Sequence, residues 1–267
     1  MNTLKNRIDL RLEKLSSENR PALVPYLTVG YPTVKLTVPI ATKILSSGAD
    51  MLELGIPFSD PLADGPTIQA TSFKALKNGT TIGIAIELVR EIRTIDNVSP
   101  LIFMGYFNPF FRYGFENLLM DIKSAGVDGL IVPDLPTEES DVLFAECRKQ
   151  GIHLIPLLAP TSTDERIESA CKTAGGFIYC VSLTGVTGAR NRLSAGVEEL
   201  VRRIRAFTNL PVLVGFGISN QSDVEKIGQF ANGAVVGSAF LDAVASSDLG
   251  KEVETASQFV RGLTRQG

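Results

Sequence analysis

The sequence predicts an α/β fold, a (β/α)8 TIM barrel with an extra N-terminal helix. Three observations carry the prediction. Eight short, nearly all-apolar runs recur along the 267 residues, as strands buried on both faces of a parallel sheet should. Amphipathic stretches with helical spacing separate them. The alternation continues to the C-terminus without a proline-rich linker, a charge block or a low-complexity tract, so residues 1–267 read as a single (β/α)8 barrel domain. A doubly wound open sheet would use the same alternation, but no GxGxxG follows the first run.

Taken in order, "MNTLKNRIDLRLEKL" is charged throughout and lacks a signal-type apolar core, so it reads as the extra helix over about 2–18. The strands are "ALVPYLTV" (22–29), "ADMLELG" (49–55), "LIFMGY" (101–106), "DGLIVPD" (128–134), "HLIPLLA" (153–159), "FIYCVS" (177–182), "PVLVGF" (211–216) and "GAVVGS" (233–238). Helices such as "TEESDVLFAECRKQG", "SAGVEELVRRIRAF" and "NQSDVEKIGQFANG" lie between them, and a final helix covers about 251–265. Gly48, Gly126, Gly151, Gly175 and Gly233 stand at helix-to-strand junctions, where a left-handed cap is expected.

Composition narrows the class. Hydrophobic residues make up 44% and charged residues 21%, the profile of a packed globular chain, and the net charge of −3 offers no reason to expect nucleic acid or an anionic membrane as partner. No stretch approaches a membrane span. Three cysteines, Cys147, Cys171 and Cys180, sit in apolar or helical contexts without CxxC spacing, which fits a reducing, cytoplasmic setting.

In a barrel of this kind the chemistry sits where strands end. The second strand ends on Glu53 and runs into "ELGIPFSDPLADGPTIQ" (53–69), a long loop stiffened by proline and glycine that carries Asp64. The apolar surroundings of Glu53 should raise its pKa towards a range useful for proton transfer, unless it is a structural acid paired with a base or loop amides. "VGFGIS" (214–219) and "VVGSAF" (235–240) follow the last two strands. Gly217, Gly237 and Ser238 there can present backbone amides, the last two at a helix N-terminus, which is a phosphate-binding arrangement as well as an ordinary use of turn glycines. "SLTGVTGARNRLSAG" (182–196), with Thr187, Arg190 and Arg192, has the composition of a lid. The single histidine, His153, starts the fifth strand on the opposite face, and no lysine lies in or at the end of a strand. Histidine-based acid/base chemistry, a histidine-rich metal site and a Schiff-base aldolase are therefore disfavoured. Carboxylate acid/base catalysis on a phosphorylated small molecule with an apolar part remains.

"ELGIPFSDPLADGPTIQ", "GVDGLIVPDLP", "SLTGVTGAR" and "GFGIS…VVGSA" together resemble the tryptophan synthase alpha subunit family, in order and along essentially the whole chain. The resemblance implies a (β/α)8 lyase that cleaves indole-3-glycerol phosphate to indole and glyceraldehyde 3-phosphate in tryptophan biosynthesis. It also implies no cofactor in this chain and a pyridoxal-phosphate beta subunit as partner, in an α2β2 tetramer. By motif, Glu53 matches the general acid/base, Asp64 the carboxylate at the indole N–H, and Tyr179 an active-site tyrosine near the glycerol. Thr187 matches a lid threonine that bonds Asp64 on closure. Gly188, Phe216, Gly217, Gly237 and Ser238 match the phosphate site, and Tyr26, Tyr106, Ile131, Leu157 and Val235 fall where the indole pocket is expected. Leu183 stands where some members place an arginine, a departure that bears on lid closure. Pro57, Asp60 and the "FNPFF" run (107–111), with Phe110 and Phe111, are expected on an exposed docking face. Alternatives are a different phosphosugar enzyme, a barrel that only binds its ligand, and a free-standing indole-releasing lyase of the same family.

Overall fold

In the computed structural model, which describes residues 5–181, 190–215 and 217–264, each of the eight apolar runs forms strand. They are β1 (Ala22–Thr28), β2 (Leu52–Gly55), β3 (Leu101–Met104), β4 (Gly129–Ile131), β5 (His153–Leu154) with β6 (Leu157–Leu158), β7 (Ile178–Val181), β8 (Val212–Gly215) and β9 (Gly233–Val236). Every pairing is parallel, in the order β5-β4-β3-β2-β1-β9-β8-β7-β6. The two ends of that order are consecutive stretches of one passage. Pro156 interrupts it, having no N–H to give a neighbour. Ile155 N still donates to Leu130 O at 2.9 Å, and Tyr179 N to Pro156 O at 3.1 Å. The sheet therefore closes on itself as a (β/α)8 barrel.

Two layers of side chains follow from the two-residue period of a strand. Inward-facing Val24, Met51, Ile102, Ile131, Ile155, Phe177, Leu213 and Val235 form one cluster. Their neighbours Leu23, Leu52, Leu54, Phe103, Leu130, Ile178 and Val212 pack outward with the helices. The N-terminal helix α1 (Arg7–Ser17) inserts Ile8, Leu12 and Leu15 into the inner cluster and so plugs the end of the barrel at which the strands begin. Asn6 and Asp9 cap it reciprocally, and Asp9 also meets His153 Nε2 at 2.7 Å, which fixes the single histidine on that end. Two buried acids secure the same end. Asp50 takes Arg20 bidentately at 2.6 and 2.8 Å and the Leu23 amide at 2.9 Å. Asp128 takes Arg7 and Arg93, each at 2.9 Å, and the Leu101 amide at 3.0 Å.

The outer helices are α2 (Val34–Ser46), α3 (Pro66–Lys77), α4 (Ile82–Ile95), α5 (Phe107–Tyr113), α6 (Phe115–Ala125), α7 (Asp141–Gln150), α8 (Asp164–Thr173), α9 (Arg190–Arg205), α10 (Gln221–Ile227), α11 (Ser238–Ala245) and α12 (Glu252–Leu263). Several sequence expectations need correction. The "FNPFF" run is helix α5 rather than loop; Phe110 is fully buried and Phe111 is 62% exposed, so the pair divides between core and surface. Pro57 is buried, not exposed. The "TEESDVL" stretch starts as a 3-10 turn, Thr137–Glu139, because the Ser140 hydroxyl donates back to Thr137 O instead of capping α7. Of the glycines expected at helix-to-strand junctions, Gly48, Gly126 and Gly151 have positive φ; before β7 it is Gly176 rather than Gly175, and Gly233 lies in β9.

Asp128 is 3% exposed and Arg93 8%, so removing the carboxylate leaves a guanidinium in a nearly dry site. Burial already holds the Arg93 pKa down at about 10. Asp128→Ala should lower unfolding free energy by about 3–5 kcal/mol, measured as the shift in a urea midpoint, with α1 released from the barrel end.

Candidate active site

Residues at the far ends of the strands alternate inward like those below them, and this decides where the acids go. Met51 lies in the inner cluster, so Glu53, two residues on, also points into the barrel. It pairs across the sheet with Tyr26 on one side and Ile102 on the other. Glu53 is 1% exposed, and Glu53 Oε1 and Thr80 Oγ1 are the buried side-chain polar atoms without a partner among the described residues. A buried oxygen left unpaired is costly and points to a partner that arrives with a ligand.

Two tyrosines wall this acid. A Cβ at Gly55 would stand 1.9 Å from the Tyr26 hydroxyl, and one at Gly215 would stand 2.4 Å from that of Tyr179. Only glycine lets each phenol lie flat across its neighbouring strand. Both rings are nearly buried, and desolvation raises both phenol pKa values, with the negative charge of Glu53 and Asp64 adding to it.

Asp64 reaches the site from the β2 loop. Tyr106 Oη donates to Asp64 Oδ2 at 3.0 Å and accepts from the Ala63 amide at 3.0 Å. Gln69 Nε2 holds Asp64 O at 2.8 Å, and Ser72 Oγ both accepts from Phe58 N and donates to Phe58 O. Gln69 and Ser72 were not singled out from the sequence; the available signal was a glutamine five residues beyond the acid, at the start of the helix that follows.

The electrostatics separate the two acids. Burial, then the nearby Asp64, lifts the Glu53 pKa to about 8. Burial lifts Asp64 to about 6, with the Tyr106 hydrogen bond acting in the opposite direction. Near neutrality the pair therefore holds about one proton, on Glu53, beside an ionised Asp64.

Above them opens a cavity of about 1230 Å³ lined by Asp64, Leu157, Tyr179, Val235, Gly217, Gly237 and Ser238 among others. Gly237 is the N-cap of α11 and Ser238 its first residue, so the start of that helix borders the cavity together with Gly217, which has φ of 48°. Glu53, Tyr26, Tyr106 and Ile131 lie beneath the lining, nearly or fully buried. Thr187, Gly188, Phe216 and Leu183 lie outside the described residues, as do the side chains of Arg190 and Arg192.

A closed parallel barrel with two carboxyl groups of divergent pKa where its strands end, at the floor of a cavity, defines a (β/α)8 barrel with the acid/base site of an enzyme. The comparisons name the family. The profile described as "Tryptophan synthase alpha chain" matches residues 12–265. The tryptophan synthase alpha chain of Roseiflexus sp. (strain RS-1) is 46% identical over 97% of this chain and 99% of its own. A crystal structure of tryptophan synthase subunit alpha from Legionella pneumophila str. Paris superposes with a TM-score of 0.89, at 35% identity and 97% coverage of both chains. The Saccharomyces cerevisiae protein named tryptophan synthase is 42% identical over 92% of this chain, which spans 35% of that longer protein. This chain belongs to the tryptophan synthase alpha chain family, a lyase of tryptophan biosynthesis.

The raised pKa of Glu53 has a stability consequence. Between the ordinary glutamate value and about 8, the folded chain keeps a proton that the unfolded chain has released, so stability falls as pH rises through that window. Glu53→Gln should remove this part of the decline. Urea midpoints from about pH 7, where Asp64 has largely titrated, to about pH 8 should fall less steeply for the variant than for the parent.

Proposed function

We propose that Glu53 and Asp64 divide the family's retro-aldol cleavage of indole-3-glycerol phosphate between them. The observation that supports this most is the divergence of their pKa values, about 8 and about 6, in adjoining positions of one site. Protonated Glu53 gives its proton to ring carbon C3, and positive charge develops on the indole nitrogen. Ionised Asp64 accepts the ring N–H and stabilises that charge. Glu53, now a carboxylate, takes the proton of the hydroxyl on the carbon attached to C3. The carbon–carbon bond then breaks, its electron pair returns to the ring, and indole and an aldehyde, glyceraldehyde 3-phosphate, result. Glu53 ends protonated as it began.

Gly217, Gly237 and Ser238 would hold the phosphate, with Phe216 and Gly188 completing that site. Leu157, Val235, Ile131, Tyr26 and Tyr106 would surround the indole, and Tyr179 would lie beside the glycerol. Thr187 would bond Asp64 when the lid closes. Glu53→Gln keeps the volume but cannot cycle a proton, so turnover should drop by at least about 10²–10⁴-fold with substrate affinity largely retained. Asp64→Asn should also be severe. Steady-state cleavage assays with binding measured separately check both, and near-parental turnover in Glu53→Gln would make this acid structural.

The family name supports a beta subunit as partner, carrying the pyridoxal phosphate and forming an α2β2 assembly in the cytoplasm; the yeast relative, with a matching unit inside a longer chain, agrees with joint function. A free-standing lyase is not favoured. The docking face would be the apolar rim beside the site. Leu62 is 91% exposed there, Phe111 stacks on Phe107 at 5.7 Å, and both rings meet Phe115 edge-on. Phe111→Asp should weaken comigration with a beta subunit on gel filtration and reduce its stimulation of cleavage, while the isolated chain keeps its basal rate.

A further inference from the structure

The loop that carries Asp64 and the helix that would receive phosphate touch each other directly, through residues that no step of the cleavage uses. Thr67 is the second residue of α3, three positions beyond Asp64, and Asp242 is the fifth residue of α11, four beyond Ser238. Thr67 Oγ1 donates to Asp242 Oδ1 at 3.0 Å, and both residues line the cavity. Ile68 stands beside it, its Cδ1 3.7 Å from where a Cβ on Gly237 would lie. Asp64 is in turn tied to α3 through Gln69. A set of short contacts thus runs from Asp242, one turn into α11, through the first turn of α3, to the backbone of the residue that bears the carboxylate.

We infer that Thr67 and Asp242 are positioning residues that couple anion occupancy at α11 to the placement of Asp64. The inference rests on the phosphate site proposed above. Asp242 carries a second consequence. Its negative charge lies one turn inside a helix whose N-terminal end favours anions, so it offsets part of that preference. The coupling and the charge act on different steps. The hydrogen bond holds Asp64 against the ring nitrogen during reaction, where small displacements lower rate, whereas the charge acts on anion affinity.

The amide of Asp242→Asn retains an oxygen to accept from Thr67 and loses the charge, which separates the two effects. Asp242→Ala and Thr67→Val should each lower turnover at saturating indole-3-glycerol phosphate by about 3- to 10-fold, and the double variant should be no worse than either. Asp242→Asn should keep most of the turnover while inorganic phosphate inhibits about 2- to 5-fold more tightly. Parental turnover in both Thr67→Val and Asp242→Ala would overturn the coupling, as would equal losses in Asp242→Asn and Asp242→Ala. The parent chain in the same assay separates the failures: no cleavage by the parent overturns the proposed function, whereas cleavage with unaffected variants overturns only this inference. Circular dichroism of each variant excludes loss of fold as the cause.

Discussion

Everything at the active end depends on the closure of a parallel sheet around an interior narrow enough to be filled by side chains. Closure makes the alternation of a strand absolute: each inward residue has no route to water except along the barrel axis. The N-terminal helix removes one of the two exits, with Ile8, Leu12 and Leu15 packed into the inner layer. An acid on the inward side of β2, one step above Met51, therefore faces a space that opens only towards the cavity. Its raised pKa is a consequence of topology more than of any single neighbour, which is why desolvation outweighs the charge of Asp64.

The two ends of the barrel treat buried acids in opposite ways. Where the strands begin, Asp50 and Asp128 are each surrounded by arginine and backbone donors. Where they end, Glu53 keeps an oxygen with no partner among the described residues. The first arrangement is stable and chemically inert; the second sacrifices stability for a proton held near its release point. The fold separates these demands by the length of a strand, so that the sealed end tolerates what the reactive end needs.

In the proposed mechanism Asp64 meets a different demand, since a carboxylate that faces a developing cation must be accurately placed without being fully buried. The β2 loop achieves this by being fastened from both sides, through Ser72 and Gln69 on α3 and through Tyr106 beyond β3. With Tyr106 occupying Oδ2, Oδ1 has no hydrogen bond to a described residue, which leaves one oxygen for a ligand N–H. The family profile matches residues 12–265, a span that includes the β2 loop and every strand of the barrel.

The sequence by itself determined the eight strands, because burial on both faces leaves an uninterrupted apolar run that no local competitor produces, and it determined the closing helices through ordinary caps. It also singled out Glu53 and Asp64, since an acid ending an apolar run and an acid in a stiffened loop stand out against their neighbours. Tertiary structure alone decided the rest. Phe110 and Phe111 are identical in the chain, yet one enters the core and the other stays 62% exposed, because α5 turns about 100° between them. Pro156 splits a strand that reads as continuous, for want of an N–H at a pairing position. The Tyr106–Asp64 and Thr67–Asp242 hydrogen bonds span 42 and 175 positions, and Tyr26 and Tyr179 lie flat only because Gly55 and Gly215 stand opposite. Such contacts arise from register between strands and from the angle at which helices cross, quantities set by the closure of the whole barrel and carried by no local stretch of residues.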